Sequence, residues 1–480
     1  MSYVFYDIET TGLRQRYDQI TSFAAVQTDN DLVITDRFEI KARIGPHIIP
    51  SPGAIAVTGV GVDQLFDLSL PSQYEAVAAI HAKMDAWCPS LFAGFNSVSF
   101  DEELLRHAFY QNLKPAYVTS KRGNGRADVL GLCRVTAGQR PDILVPAIGA
   151  DGRKTFRLAE LAAANGLAPG GAHSAMVDVM TTLSLCQHIK AGAPDIWSTF
   201  ARFATKPAVH AFTDGEDAFL YFSARPGPDD PLVLSRLGPY AHNPARVYCL
   251  DLLCDLDALA AMDDAALAAA VAARGGPLVT LRLNAAPMMT ELFQGSPEQL
   301  AGLEEEDFVR RAARVRSEPA LGPRILAFAQ AAERRFDTPV HVEDQLYGFD
   351  RPGWRDGVRI EEFHGGDWTR RVALIREFDD RRLQQLARRI VYFESPTLLP
   401  RAEADAMERG INARHLASGK VPWLTLAGAR AELAKLELDS IRSRYIDRST
   451  LTAYRAYLDA VENSLSSNAD ELRPAVVASA

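Results

Sequence analysis

The chain begins with an apolar stretch that places two acids on one face. Residues 4–13 read VFYDIETTGL, and the β-branched and aromatic residues there predict a strand. Side chains alternate between the two faces of a strand, so Asp7 and Glu9 should point the same way. Two carboxylates on a half-buried strand repel each other and resist the loss of water. The strand is therefore compatible with a stable fold only if something compensates this repulsion.

The segments that follow predict a sheet covered by helices. The runs ITSFAAVQ and LVITDRFEI are separated by the turn signal TDND, which favours an antiparallel meander. LFAGFN is a further strand candidate, and it lies between helical patterns. Those patterns are YEAVAAIHAKMDAW, EELLRHAFYQNL and FRLAELAAANGL. We therefore expect an α/β domain over residues 1–194, with AGAP at its end.

The rest of the chain changes character twice. Residues 195–347 contain short strands separated by Pro, Gly and Asp, which suits a small barrel. An alanine-rich helix lies within that region, with Asp263 as its N-cap and Gly275 as its stop. Helical periodicity dominates residues 348–470, and residues 471–480 resemble a flexible tail. Three domains and a tail are consistent with a length of 480 residues.

Composition excludes several classes of protein. No apolar run approaches the roughly 20 residues that span a bilayer, so we expect no membrane partner. The N-terminus, MSYVFYDIET, lacks the basic region of a signal peptide. The 5 cysteines form no CxxC pair, which argues for reduced thiols in a cytoplasm rather than disulfides or structural zinc.

Charge is distributed unevenly along the chain. The formal net charge is −9, and residues 1–113 contain 7 basic and 14 acidic residues. Residues 114–157 contain 9 basic and 3 acidic residues, including the segment KRGNGR at 121–126. An acidic block followed by a basic one suits a site that holds cations beside a polyanion. The alternative is a solvated loop that happens to be basic.

Two further acids and a histidine extend the acidic pattern. Asp101 follows a strand candidate and starts an amphipathic helix, where it could simply be a cap. Ser174 can cap a second helix, which carries Asp178 near its start. His173 precedes that helix on a glycine-rich loop. Taken singly, Asp178 could be a solvated helix residue and His173 a surface histidine.

Taken together, these residues predict a metal site. Asp7, Glu9, Asp101 and Asp178 could converge, and cations would then neutralise them. Oxygen ligands in this number suit Mg²⁺, with Mn²⁺ as a substitute, rather than zinc. Two such ions would act on the attacking and leaving oxygens of a phosphodiester. His173 has the pKa range to deprotonate the attacking water.

The order of these motifs resembles a known family. DIET, FDEE after a strand candidate, HSAMVD and the TGV of PGAIAVTGV are similar to the DEDDh 3′-to-5′ exonucleases. TFRLAELAAANGL, LYGFD and RRIVYFESPTLLP resemble the bacterial exonuclease I family within that group. The resemblance implies an α/β, ribonuclease H-like exonuclease domain, followed by a Src-homology-3-like barrel and an α-helical C-terminal domain.

The resemblance also implies roles for particular residues. Asp7, Glu9 and Asp178 would hold metal, Asp101 would complete the site, and His173 would be the general base. Arg157 matches a position that contacts DNA in the family. Further contacts to single-stranded DNA are implied at Arg106, Tyr117 and Arg134. The family carries aromatic residues where this chain has the KRGNGR segment, so we expect Lys121 and its neighbours to contact phosphates there.

The implied activity is Mg²⁺-dependent, processive 3′-to-5′ hydrolysis of single-stranded DNA, with release of 5′-mononucleotides, in DNA repair and recombination. The family implies a monomer in the bacterial cytoplasm, associated with the nucleoid during repair. It also implies binding of the C-terminal tail of single-stranded-DNA-binding protein, with RRAARVR at 310–316 as a candidate pocket. The alternatives are an enzyme for RNA ends or polymerase-bound primers, and an inactive DNA-binding scaffold.

Overall fold

The computed structural model describes residues 2–121, 123–167, 174–222, 231–317, 321–333, 339–347, 352–440 and 448–471. The predicted tail at 471–480 lies outside the described residues, apart from Glu471. So do His173, Arg122 and the last three residues of LYGFD. Within the described part, no helix has the length and apolar character needed to cross a bilayer.

The first region is a mixed sheet with helices on both faces. Its elements run from β1 to α9: β1 (Ser2–Thr10), β2 (Ile20–Thr28), β3 (Ile34–Lys41), α1 (Pro52–Thr58), α2 (Val62–Leu65), α3 (Gln73–Ala86), β4 (Ser90–Gly94), α4 (Asp101–Gln111), β5 (Gly125–Asp128), α5 (Val129–Gln139), β6 (Ala147–Ile148), β7 (Lys154–Thr155), α6 (Leu158–Ala164), α7 (Ala175–Gly192), α8 (Pro194–Arg202) and α9 (Lys206–Gly215). The main sheet has the order β3-β2-β1-β4-β5. Its first three strands are the antiparallel meander expected from the sequence, and β4 and β5 are parallel to β1.

Alternation along β1 separates two cores. Val4, Tyr6 and Ile8 pack on one face with residues of α3 and α4. Phe5 points to the other face and packs with Val179 and Leu183 of α7. Asp7 and Glu9 continue the face of Phe5, so they are directed toward α7. The strand therefore presents its two acids to the helix that carries Asp178.

The second region is built on a five-stranded antiparallel sheet, as expected for a barrel-like unit. Its elements are β8 (Phe219–Phe222), β9 (Leu232–Pro239), β10 (Arg246–Asp251), α10 (Leu256–Ala261), α11 (Asp264–Ala272), β11 (Leu278–Arg282), β12 (Met288–Glu291), α12 (Glu305–Ser317) and α13 (Gly322–Ala331). The strand order is β11-β10-β9-β8-β12. Asp263 caps α11 by accepting a hydrogen bond from the Ala266 amide, and Gly275 has a left-handed φ of 79°.

The third region is helical. It contains α14 (Trp354–Gly365), α15 (Trp368–Glu377), α16 (Arg381–Glu394), α17 (Arg401–His415), α18 (Leu426–Ser440) and α19 (Arg448–Glu471). This region packs on the first region through two apolar clusters. One joins Tyr74 and Leu113 to α14, α15 and α16, and the other joins α1 and α2 to α18 and α19.

The packing bears on the expected domain boundary, which stays a proposal, and it corrects the expected basic loop at residues 121–126. The boundary expected after residue 194 falls inside α8, whose Ile196, Trp197 and Phe200 belong to the core of the first sheet. We therefore propose that the first domain continues to about residue 204, because Ala204 is also in that core. The end of KRGNGR is not a loop, since Gly125 and Arg126 pair with β4 as part of β5.

Candidate active site

Asp7 and Glu9 lie near the end of the central strand of the main sheet. They are opposite Ala24 and Ser22 of β2, and both are half-buried. The strand register becomes irregular between Glu9 and Thr10, where pairing with β2 ends. The two carboxylates are thus held by a well-paired strand and open onto the loop that follows it.

Asp178 approaches these acids from α7. The Ser174 hydroxyl accepts a hydrogen bond from the Val177 amide and so fixes the start of the helix, which places Asp178 in its first turn. Carboxylate oxygens of Asp7, Glu9 and Asp178 all lie within 4.8 Å of one another. Three acids from one strand and one helix therefore form a compact set of oxygen ligands.

Asp101 joins the same electrostatic cluster from α4. Its side chain is buried, and its carboxyl group interacts with the charge of Glu9. Burial, together with the charges of Asp128 and Glu9, raises the pKa of Asp101 to about 8. Burial also raises the pKa of Asp7 well above its usual value, followed by the charges of Asp101, Asp178 and Glu9. All four acids predicted from the sequence are brought together.

The acid cluster has the chemistry of a divalent cation site. Within the described residues, no salt bridge reaches Asp7 or Asp101, so no basic side chain there compensates their charge. Hard carboxylate oxygens favour Mg²⁺ or Mn²⁺. His173, the expected general base, lies outside the described residues, one position before the helix cap at Ser174.

Two of the expected DNA contacts lie on elements beside the cluster. Arg157 directly precedes α6, and its side chain is 82% exposed beside Glu160 at 3.2 Å. Arg134 is on α5, where its guanidinium lies 5.5 Å from the centre of the Phe156 ring. The Nη1 atom of Arg134 is buried without a hydrogen-bond partner. Arg157 is therefore accessible to a further acceptor, whereas the unpartnered atom of Arg134 is buried.

The other expected contacts are more engaged with the protein. Arg106 is buried, lies 2.5 Å from Glu102 and stacks 5.1 Å from the Tyr117 ring. Tyr117 is 38% exposed. Lys121 forms a salt bridge with Asp85. Arg106 is thus not freely available as a phosphate ligand, because it is buried and Glu102 compensates its charge.

Arg126 also departs from the basic surface expected for KRGNGR. Its guanidinium donates to Glu102 and to the Asn284 carbonyl, and its side chain is buried. Glu102 therefore accepts from two arginines and from the Thr119 hydroxyl. Glu102 thus compensates Arg126, one of the three basic residues of KRGNGR.

Sequence reasoning missed Asp128, which supports the cluster. Its carboxylate accepts hydrogen bonds from the amides of Asn96 at 2.9 Å, Val98 at 3.3 Å and Leu130 at 3.0 Å. Asp128 thereby caps α5 and holds the turn that leads from β4 to Asp101. Burial raises the pKa of Asp128 to about 6 against these three hydrogen bonds. The available signal was an aspartate directly before the apolar run VLGLC.

Comparison with known proteins agrees with this geometry. Residues 4–186 match the model of the exonuclease family RNase_T. The chain is 30% identical over 215 residues to exodeoxyribonuclease I of Haemophilus influenzae, an alignment that covers 44% of this chain and 45% of that relative. It is 26% identical over 388 residues to exodeoxyribonuclease I of Escherichia coli, covering 75% of this chain and 78% of the relative. The chain thus spans about half the length of the Haemophilus relative and more of the E. coli one.

Solved structures show the same fold over almost the whole chain. E. coli exonuclease I in complex with a dA16 oligonucleotide superposes with a TM-score of 0.84 at 22% identity, covering 96% of this chain and 99% of that one. Exonuclease I from Methylocaldum szegediense superposes with a TM-score of 0.82 at 23% identity, with coverages of 96% and 99%. The expected three-part α/β, barrel and helical architecture is therefore confirmed. Residues 4–186 thus match an exonuclease domain of the RNase_T family, and the chain as a whole is similar in sequence and fold to bacterial exodeoxyribonuclease I.

Proposed function

We propose that the protein degrades single-stranded DNA from its 3′ end and releases 5′-mononucleotides, with Mg²⁺ as its cofactor. The observation that carries the proposal is the set of three carboxylates within 4.8 Å, with buried Asp101 beside it. The relatives named exodeoxyribonuclease I and the fold of an oligonucleotide complex support DNA as the substrate.

The donor set fits divalent cations. Asp7, Glu9 and Asp178 would hold two Mg²⁺ ions, with Mn²⁺ as a substitute, and Asp101 would complete the site. When bound, these ions supply charge stabilisation at the phosphodiester oxygens. The raised pKa values of Asp7 and Asp101 describe the protein without a cation, whose binding would favour the ionised carboxylates.

The remaining steps are proton transfer and binding of the phosphate, and we assign them to side chains of the protein. We assign His173 as the general base that accepts a proton from the attacking water. The water oxygen adds to phosphorus, and the bond from phosphorus to the 3′ oxygen of the preceding nucleotide breaks. Arg157 lies next to α6 with an exposed guanidinium, which suits a contact with the phosphate that is released.

The residues proposed to contact DNA differ in how accessible their side chains are. Arg157 is exposed, whereas the unpartnered atom of Arg134 is buried. Arg106 acts through Tyr117, whose ring it stacks against. Tyr117 is exposed enough to stack on a base, an interaction of about 1–3 kcal/mol. We assign Lys121 a contact with a phosphate at the edge of the site, for which it would leave its salt bridge with Asp85.

The wider biological role is also a proposal. We infer a monomeric, processive repair enzyme in the bacterial cytoplasm, associated with the nucleoid and recruited by the tail of single-stranded-DNA-binding protein. The 310–316 segment offers limited support for the tail pocket. Arg310, Arg314 and Arg316 pair with Asp307, Asp257 and Asp217, so their charges are largely compensated.

The test is cleavage of 5′-labelled and 3′-labelled single-stranded DNA with Mg²⁺, beside duplex DNA and RNA of the same sequence. Asp178→Ala removes one carboxylate of the cluster, and Asp195→Asn is the control at an exposed acid of α8. We expect early release of the 3′ label as a mononucleotide from single-stranded DNA, retained in Asp195→Asn. In Asp178→Ala, the rate should fall by about a thousandfold or more, because charge stabilisation at the phosphodiester is lost.

Other outcomes would redirect the proposal. Faster cleavage of RNA would assign the enzyme to RNA trimming. Intact DNA binding without cleavage in any protein would support the scaffold alternative, and unchanged cleavage by Asp178→Ala would remove the acid cluster from the mechanism.

A further inference from the structure

A second polar cavity lies outside the acid cluster, between α16, α17 and the segment at residues 340–343. Its volume is about 400 Å³, within the usual range of small-molecule pockets. The lining residues used below are Arg389 of α16, Arg414 of α17, Glu343, His341 and Trp423.

The cavity wall carries an excess of positive charge. Arg389 and Arg414 lie 3.0 Å and 2.9 Å from the same oxygen, Oε1 of Glu343, so two guanidiniums share one carboxylate. Burial would raise the pKa of Glu343, but the charges of Arg389 and Arg414 outweigh it and lower the pKa to about 2. Glu343 is therefore ionised, and its single negative charge compensates only one of the two cations.

The neighbouring acid does not compensate the second cation. Asp344 directs its carboxylate to the first region, where Arg16 lies 3.1 Å from Oδ1 and the Tyr17 hydroxyl donates to Oδ2. The two arginine side chains are only 14% and 21% exposed, so solvent screens their repulsion incompletely. An anion in the cavity would complete the charge balance.

An aromatic wall stands beside the two arginines. His341 and Trp423 meet edge to face with their ring centres 5.0 Å apart, and both are half-buried. The Trp423 indole donates to the Arg414 carbonyl at 2.9 Å, and the Arg414 guanidinium lies over the Trp423 ring, 4.6 Å from its centre. A ligand with an anionic group and a flat ring would match both parts of the cavity.

We propose that this cavity binds a nucleotide, with its phosphate on Arg389 and Arg414 and its base against His341 and Trp423. Guanidinium groups match phosphate oxygens in geometry, and aromatic side chains accept bases of any sequence. The nucleotide would be either a free mononucleotide or one unit of a single strand. The site goes beyond the proposed function, because its occupation requires neither Mg²⁺ nor cleavage.

The cavity is connected to the acid cluster through the loop that leaves β1. Tyr17 belongs to that loop, packs 5.9 Å from Trp423, and is followed by the start of β2. Arg414 lies 5.5 Å from the Tyr17 ring. Tyr17 therefore places the cavity beside the loop between β1, which carries Glu9, and β2.

The experiment is calorimetric titration of the full chain with dTMP, inorganic phosphate and a single-stranded dT oligonucleotide, all in EDTA. Arg389→Gln removes a cavity cation, and Arg388→Gln is the matched control. Arg388 is the preceding residue of α16 and pairs with Glu403 at 2.9 Å instead of lining the cavity. We expect Arg389→Gln to weaken dTMP binding by about tenfold, and Arg388→Gln to leave it unchanged.

The titrations with dTMP and with the oligonucleotide distinguish a free mononucleotide from a nucleotide within a DNA strand. A parallel loss of oligonucleotide affinity in Arg389→Gln would assign the cavity to the strand, and a loss confined to dTMP would assign it to the free product. Should Arg389→Gln fold poorly, Arg389→Lys keeps the charge without the guanidinium fork and should give a smaller loss. Equal dTMP affinity in all these proteins would overturn the proposal. Binding of an acidic peptide that depends on Arg389, with no such effect on nucleotides, would overturn it as well.

The cleavage assay and this titration fail independently. A protein without nuclease activity could still bind dTMP in the cavity, and an active enzyme could lack any dependence on Arg389.

Discussion

Asp101 and Glu102 are consecutive buried acids at the start of α4, and the charges around them have opposite signs. Asp101 faces three other carboxylates, and burial with those charges raises its pKa to about 8. Glu102 faces the opposite direction, where Arg106 and Arg126 donate to one of its oxygens. The first acid lies among like charges, and the second is paired with two arginines of the same chain.

The difference shows which buried charges indicate function. A buried carboxylate with two arginine partners holds elements together, here α4 with β5. A buried carboxylate among like charges reduces stability until a ligand arrives, which is typical of catalytic sites. Burial alone does not separate the two, since both residues are almost inaccessible to solvent.

The largest expected effect concerns activity at Asp101. Asp101→Asn keeps the shape of the side chain and removes its charge, so we expect the rate of DNA cleavage to fall by about a thousandfold, or ~4 kcal/mol. The measurement is the single-turnover rate at saturating Mg²⁺.

The same substitution, Asp101→Asn, should not lower the stability of the protein. In EDTA above pH 8, Asp101→Asn should unfold at a Tm no lower than that of the unsubstituted protein, because the ionised form is disfavoured by burial and like charges. Native Asp101 retains a proton that the unfolded chain loses between its usual pKa and about 8, so its contribution to stability declines as pH rises through that window. A lower Tm for the variant would show that Asp101 is structural, like Glu102.

The second effect concerns stability at Glu102. Glu102→Gln leaves Arg106 and Arg126 without their shared carboxylate, so we expect the free energy of unfolding to fall by about 3–5 kcal/mol. Glu103→Gln is the matched control at the next residue, a partly exposed acid whose loss should change it by less than about 1 kcal/mol. Chemical denaturation measures both, and equal small losses would contradict the proposed difference.

The smallest effect concerns a third group on the same helix. His107 is buried, with Nδ1 lying 3.0 Å from the Glu343 carbonyl, and burial lowers its pKa to about 4. Between pH 6.5 and about 4, His107 is protonated in the unfolded chain but neutral in the folded protein. The free energy of unfolding therefore falls as the pH falls through this window. At pH 5, we expect the loss due to His107 to be about 2 kcal/mol.

This pH dependence is measured as the free energy of unfolding at pH 7 and pH 5. His107→Gln should reduce the difference between the two values, and the exposed His242→Gln should leave it unchanged. Burial also lowers the pKa of His364 to about 4 at the contact between the first and third regions, so part of the dependence should persist. An unaltered pH difference in His107→Gln would exclude His107 as a source.

Local sequence determined the elements that carry the site. The apolar run around Asp7 and Glu9 forms β1, Ser174 caps α7, and Asp101 begins α4, as their patterns predict. These features depend on neighbours within a few residues, so backbone propensity and capping are sufficient to place them. The grouping of the four acids was predictable because each lies at an element start or end beside the same sheet.

Only the tertiary structure decided how the remaining charges are distributed. KRGNGR is a basic segment in sequence, but the strand β5 turns Arg126 inward to Glu102, 24 residues away in the chain. Glu343 likewise meets Arg389 and Arg414 only because α16 and α17 pack beside it. Sequence patterns report the residues near in the chain, whereas the energy of a buried charge depends on partners that are near in space. The strand that carries Asp7 and Glu9 was therefore predictable from the sequence, and the compensation of the arginines was not.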